Sequence, residues 1–127
     1  MDNPAIAEAL VNVQTNGMEQ YGHLDFQCVL PMGDQPITNL FNMLVGMVQS
    51  GEVFKSEEPL LDGDNLIAAL YEVEDAGRRV LRVLVCEPHL FGCMSVMPDE
   101  LIFAQADGTP FRFERQDGEL ALIWPED

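Results

Sequence analysis

Leu66-Ile67-Ala68-Ala69-Leu70-Tyr71-Glu72-Val73-Glu74-Asp75-Ala76-Gly77-Arg78-Arg79-Val80-Leu81-Arg82-Val83-Leu84-Val85-Cys86 decides how this 127-residue chain folds. Leu66, Ala69, Leu70 and Val73 have the spacing of one helix face capped by Asp64, and the same residues also suit the first arm of a hairpin turning at Asp75-Ala76-Gly77. The second arm, residues 80–86, favours the hairpin. Val80, Leu81, Val83, Leu84 and Val85 make it rich in β-forming side chains, and a strand so apolar needs a paired neighbour.

Downstream, residues 101–106, 111–115 and 119–124 are separated by Asp107-Gly108 and Asp117-Gly118, which predicts a C-terminal three-stranded meander. Phe111 and Phe113 alternate with Arg112 and Glu114, so one face of it is core and the other wet. Upstream, Ile37, Leu40, Phe41, Leu44, Val45 and Val48 recur at helical spacing and predict a helix over residues 37–49 that Gly51 ends. Met43 and Met47 widen its apolar surface, either as core gap-fillers or as a second face for a partner. Residues 23–30 alternate Leu24, Phe26 and Cys28 with Asp25, Gln27 and Val29, the pattern of a strand with one buried face. A short first helix is expected with Asp2 or Asn3 as N-cap, Pro4 in its first turn, and Ile6, Leu10 and Val13 on one side. The whole reads as α+β: about two helices packed against an antiparallel β-sheet, in a single domain over residues 1–127.

Charge is the second informative feature. The chain carries 22 Asp and Glu against six Lys and Arg, a formal charge of -16, and has no base before Lys55. Such a surface opposes nucleic acid and anionic membrane, and it speeds encounter with cationic partners. It also keeps a protein soluble whether or not anything binds. An apolar content of 47% supplies a core, which argues against charge-driven disorder. The absence of a basic, apolar leader and the odd count of three cysteines point to a reduced, cytoplasmic setting.

No motif names a reaction. Cys86, His89 and Cys93, with Cys28 or His23 as a fourth ligand, would offer zinc a tetrahedral set, but they lack a paired Cys-x-x-Cys, and free cysteines in apolar surroundings behave as small hydrophobes. Thiol or serine catalysis needs a base and oxyanion donors around the nucleophile, and the three serines lie outside any Gly-x-Ser-x-Gly. Asp62-Gly63-Asp64-Asn65 resembles the start of a calcium loop, then departs from it with Leu66, Ile67 and Val73 at ligand and glycine positions. The glycines are scattered singly, so no phosphate-binding loop is present. The expectation is a protein without catalytic activity, metal or cofactor.

Two binding readings follow. In the first the protein is an inhibitor, immunity or antitoxin-like partner that covers a basic protein surface, such as a nuclease active site, using acids as phosphate surrogates. In the second it is a small acidic secretion or assembly chaperone that grips through the Met-bearing helix or a free strand edge, and dimerises. Size, charge and element order make the second similar in type to the small acidic type III secretion chaperones, which mix helices with an antiparallel sheet. This chain ends instead in a strand and Trp124-Pro125-Glu126-Asp127, where such chaperones carry a C-terminal helix. A third reading, from another class, is a metal-binding or thiol enzyme centred on Cys86, His89 and Cys93. The contact residues expected for a basic partner are Glu57, Glu58, Asp62 and Asp64 in the long acidic loop between the helix and the hairpin, with Met43 and Met47 if that helix face is exposed.

Overall fold

The computed structural model describes residues 12–30, 34–86 and 99–125, apart from the side chains of Asp34 and Asp62. In chain order it contains β1 (Val13–Gln14), a 3-10 turn (Met18–Tyr21), β2 (Asp25–Cys28), α1 (Asp34–Gln49), β3 (Glu58–Asp62), β4 (Asn65–Asp75), β5 (Arg78–Val85), α2 (Asp99–Ala104), β6 (Arg112–Gln116) and β7 (Glu119–Ile123). Five strands form one sheet in the order β1-β2-β5-β4-β3, and β6 pairs with β7 in a second. The class is α+β. Every strand pair is antiparallel except β2 with β5, which run parallel.

Residues 66–74 are strand, as the apolar second arm required. Asp75 faces Arg78 across the two-residue turn Ala76-Gly77, whose φ values of 52° and 83° are both left-handed, as a turn matched to strand twist demands. Helix α1 begins three residues earlier than its apolar stripe, and Pro36 is accommodated in the first turn, where no backbone donor is needed. Its end is fixed by Gly51 at φ 105°: the Gly51 amide donates to Val48 O (3.0 Å) and the Glu52 amide to Met47 O (3.0 Å), which satisfies the last carbonyls.

Three local expectations are corrected. Residues 101–104 lie in helix α2, not in the first strand of a meander, so β6 and β7 form a two-stranded hairpin. Asp99 and Glu100 occupy the first turn of α2, where acids suit the helix dipole, and Ile102 and Ala106, four apart, are buried together. Val13 is in a strand, not at the end of a first helix, because Val13 and Gln14 pair with Cys28 and Gln27 at the margin of the sheet. The rest of that expected helix, with Asp2, Asn3, Pro4, Ile6 and Leu10, lies outside the described residues. Finally, β2 is buried on both faces, since Phe26 and Cys28 enter the core shared with α1 while Asp25 is engaged by Thr15 and Arg78, and Gln27 by Arg82, on the other side.

Side chains alternate across a strand, so the registers place Asp25, Gln27, Tyr71, Val73, Val80, Arg82 and Leu84 on one face. Tyr71 meets Phe111 edge-on at 5.6 Å and Phe111 meets Trp124 at 5.0 Å, so the base of the β6–β7 hairpin is joined to this face through the residues that flank it. Arg82 donates to Gln27 Oε1 (2.9 Å) and to the carbonyls of Gln105 (3.3 Å) and Asp107 (2.8 Å), which ties the turn after α2 to the same face. Burial pushes the Arg82 guanidinium below its usual value, and Asp75 and Asp107 pull it back up. The opposite face carries Phe26, Cys28, Leu70, Leu81, Val83 and Val85, all fully buried. Ile37, Leu40, Phe41, Leu44 and Val48 of α1 belong to that same core.

Candidate protein-binding surface

The acidic loop expected between the helix and the hairpin becomes, in part, a strand. Residues 50–57 cross from α1 to β3, and β3 is the outer strand of the five-stranded sheet. Glu57 is exposed where β3 begins, and its amide donates to Leu70 O at 2.7 Å while its backbone takes a φ of 66°. Glu58 is half-buried, and its carboxylate accepts the Lys55 amide, so this acid closes its own loop as well as charging it. Asp62 pairs with Asn65 at the far end of β3, and Asp64 is exposed in the turn between them. Glu58 and Asp62 therefore mark the ends of a strand about 13 Å long.

Two apolar side chains stand among these acids. Val53 is 61% exposed and Leu61 54%, while their neighbour Leu60 is buried. Composition gave no sign of this, because a lone Val or Leu in a polar stretch reads equally as core or surface. Met43 and Met47 are half-buried and pack against the core from α1. The strand edge itself is guarded: Pro59 has no amide to offer, and the register shifts between Leu60 and Leu61.

A second feature escaped the sequence reading. A cleft of about 420 Å³ is lined by Asn16, Gly17, Glu19, His23, Leu24, Asp25, Arg78 and Arg79. The adjacent pair Arg78-Arg79, two of only six bases, was the available signal. Arg78 pairs with Asp25 and donates to Asn16 Oδ1 (3.1 Å), and Arg79 pairs with Glu72. Asp25 also accepts from Thr15 Oγ1 (2.9 Å) and the Met18 amide (3.1 Å). With both guanidiniums already engaged by carboxylates, the cleft presents little uncompensated positive charge to an anion.

The cluster considered for metal or thiol chemistry is only partly visible. Cys86 is buried with its Sγ 3.4 Å from Leu84 O, and Cys28 is buried with its Sγ 3.8 Å from Leu30 O. His89 and Cys93 lie outside the described residues. Among the described residues, no three His, Cys, Asp or Glu side chains are grouped to hold a metal ion, and no helix is long and apolar enough to cross a membrane. Compared with protein-family models, curated proteins and solved structures, the chain matches none.

Proposed function

We propose that this protein is a non-enzymatic, acidic binding module that covers a basic surface of a partner protein, in the manner of an inhibitor or immunity protein. The observation that carries the reading is the outer strand β3 and its approach: Glu52, Glu57 and Asp64 are exposed around solvent-facing Val53 and Leu61. Long-range charge speeds and orients capture, and the apolar pair supplies contacts that lengthen residence. The formal charge of -16 favours a cationic protein as the encounter partner over nucleic acid or an anionic membrane.

The test is to measure association with a basic partner at rising salt for the wild type and for Glu52→Lys/Glu57→Lys/Asp64→Lys. These three positions are preferred to Glu58, whose replacement would also remove the Lys55 amide's acceptor. The expected result is a steep fall of the wild-type rate with salt, and a flatter, slower response in the variant. Identical rates and salt slopes would remove β3 and its approach from the binding surface. The chaperone reading draws less support, because the expected grips are a Met-bearing helix face that packs on the core and a strand edge interrupted by Pro59.

A further inference from the structure

Both ring nitrogens of His23 face backbone atoms whose roles are fixed. Nε2 lies 3.0 Å from the amide nitrogen of Phe54, which can only donate. Nδ1 lies 2.8 Å from the carbonyl oxygen of Leu24, which can only accept. The imidazole is thus neutral, with its proton on Nδ1 and its lone pair on Nε2 turned toward Phe54. The half-buried ring is also wedged between Phe26 (centroids 5.2 Å apart) and Phe54 (6.1 Å, edge-on), which themselves meet at 5.8 Å.

The bond to Phe54 holds the middle of the segment joining α1 to β3. One end of that segment is fixed by the Glu52 amide on Met47 O, and the other by the Glu57 amide on Leu70 O and the Glu72 amide on Ser56 Oγ. Between them, Val53 is open to solvent, and the Phe54 amide is anchored to His23.

We propose that His23 is a protonation-controlled latch on residues 53–54. A proton taken from solvent onto Nε2 turns the only acceptor in that contact into a donor, so two N–H groups confront each other and the tether is lost. The Phe54 ring then leaves Phe26, and the segment swings outward. The charged groups around the ring are Glu19 from the 3-10 turn, Asp25 from β2, Arg78 and Arg79 from β5, and Lys55 beside Phe54. Asp25 is already engaged by Arg78, and Arg79 by Glu72. Helix α1 has Asp34, at its start, as its one charged residue. The latch is independent of whether this segment meets a partner.

The test follows the His23 ring and the Phe54 amide by NMR, with amide exchange, from about pH 8 to about pH 5. A His89→Gln background leaves His23 as the sole histidine. The Phe54 amide shift is expected to move with the His23 ring through one shared midpoint, and its exchange protection to fall about tenfold while that of Glu57 holds. In His23→Gln, which does not titrate, both Phe54 readouts are expected to stay flat. A Phe54 amide unmoved while His23 titrates would overturn the latch, as would a His23 that stays neutral until the whole protein unfolds, or a pH response persisting in His23→Gln. Should His23→Gln fail to fold, the coincidence or separation of the two wild-type midpoints decides alone.

Discussion

The carboxamide of Gln105 accepts from the Val85 amide and donates to the Val85 carbonyl, both at 2.8 Å, beyond the point where the β2–β5 pairing ends at Gln27 and Arg82. One side chain there plays the part of a neighbouring strand, and it is fully buried. Gln105→Leu keeps the volume and strands both backbone groups, so urea unfolding should show a loss of about 2–4 kcal/mol. Asp25 bridges Thr15, Met18 and Arg78, and Asp25→Asn keeps the neutral acceptor while cancelling the ion pair. Because Arg78 remains 40% exposed, the cost by the same assay should be nearer about 1–2 kcal/mol than that of a fully buried pair. At the surface, the Arg115 guanidinium grips Asp99 through Nε (3.1 Å and 3.2 Å) and Nη2 (2.7 Å), and these hydrogen bonds hold the carboxyl below the ordinary 3.8. A depressed carboxyl contributes stability above its unfolded value and loses it as pH falls through the folded value. Carboxyl NMR should therefore place Asp99 below a free aspartate in the wild type and return it upward in Arg115→Gln. Any effect of that variant on melting should fade in acid.

Turn chemistry sets the next level. Ala76 holds a φ of 52° in the β4–β5 turn, a conformation that strains an ordinary L-residue by roughly 1–2 kcal/mol and suits asparagine better. Ala76→Asn should raise stability by about 0.5–1 kcal/mol at unchanged urea m-value, and a destabilised variant would contradict the turn as described. This hairpin and helix α1 were legible because long periodic runs ended at glycines that do the terminating. The short pieces were not. Leu101-Ile102-Phe103 is an apolar run of the kind that suits helix or strand equally, and what settles it is tertiary: Gln105 must reach Val85, and Ile102 and Ala106 must turn to one side. Strand β3 was hidden by Pro59, which demotes a run on sequence grounds and is tolerated here because the strand lies at the margin of the sheet. The parallel partnership of β2 with β5 was illegible for another reason, since alternation shows which residues are buried, not which strand lies beside them.

For the molecule as a whole, the excess of acids was plain in the sequence, and its placement was only half so. Glu57 and Asp64 are exposed, Glu58 is partly spent on its own loop, and Met43 and Met47 pack against the core. Val53 and Leu61 were revealed as exposed only by the fold, because a lone Val or Leu in a polar stretch suits core or surface equally. Under the function proposed above, charge around β3 recruits a basic protein. The most direct measurement is parallel capture from the native cell on immobilised wild type and on Glu52→Lys/Glu57→Lys/Asp64→Lys, both eluted with salt from about 0.15 to about 1 M, over which screening shortens from about 8 to about 3 Å. The expected result is a basic protein that is held by the wild type, released within the gradient, and lost from the charge-reversed surface. Retention of the same proteins on both surfaces, or of no basic protein by the wild type, would contradict it.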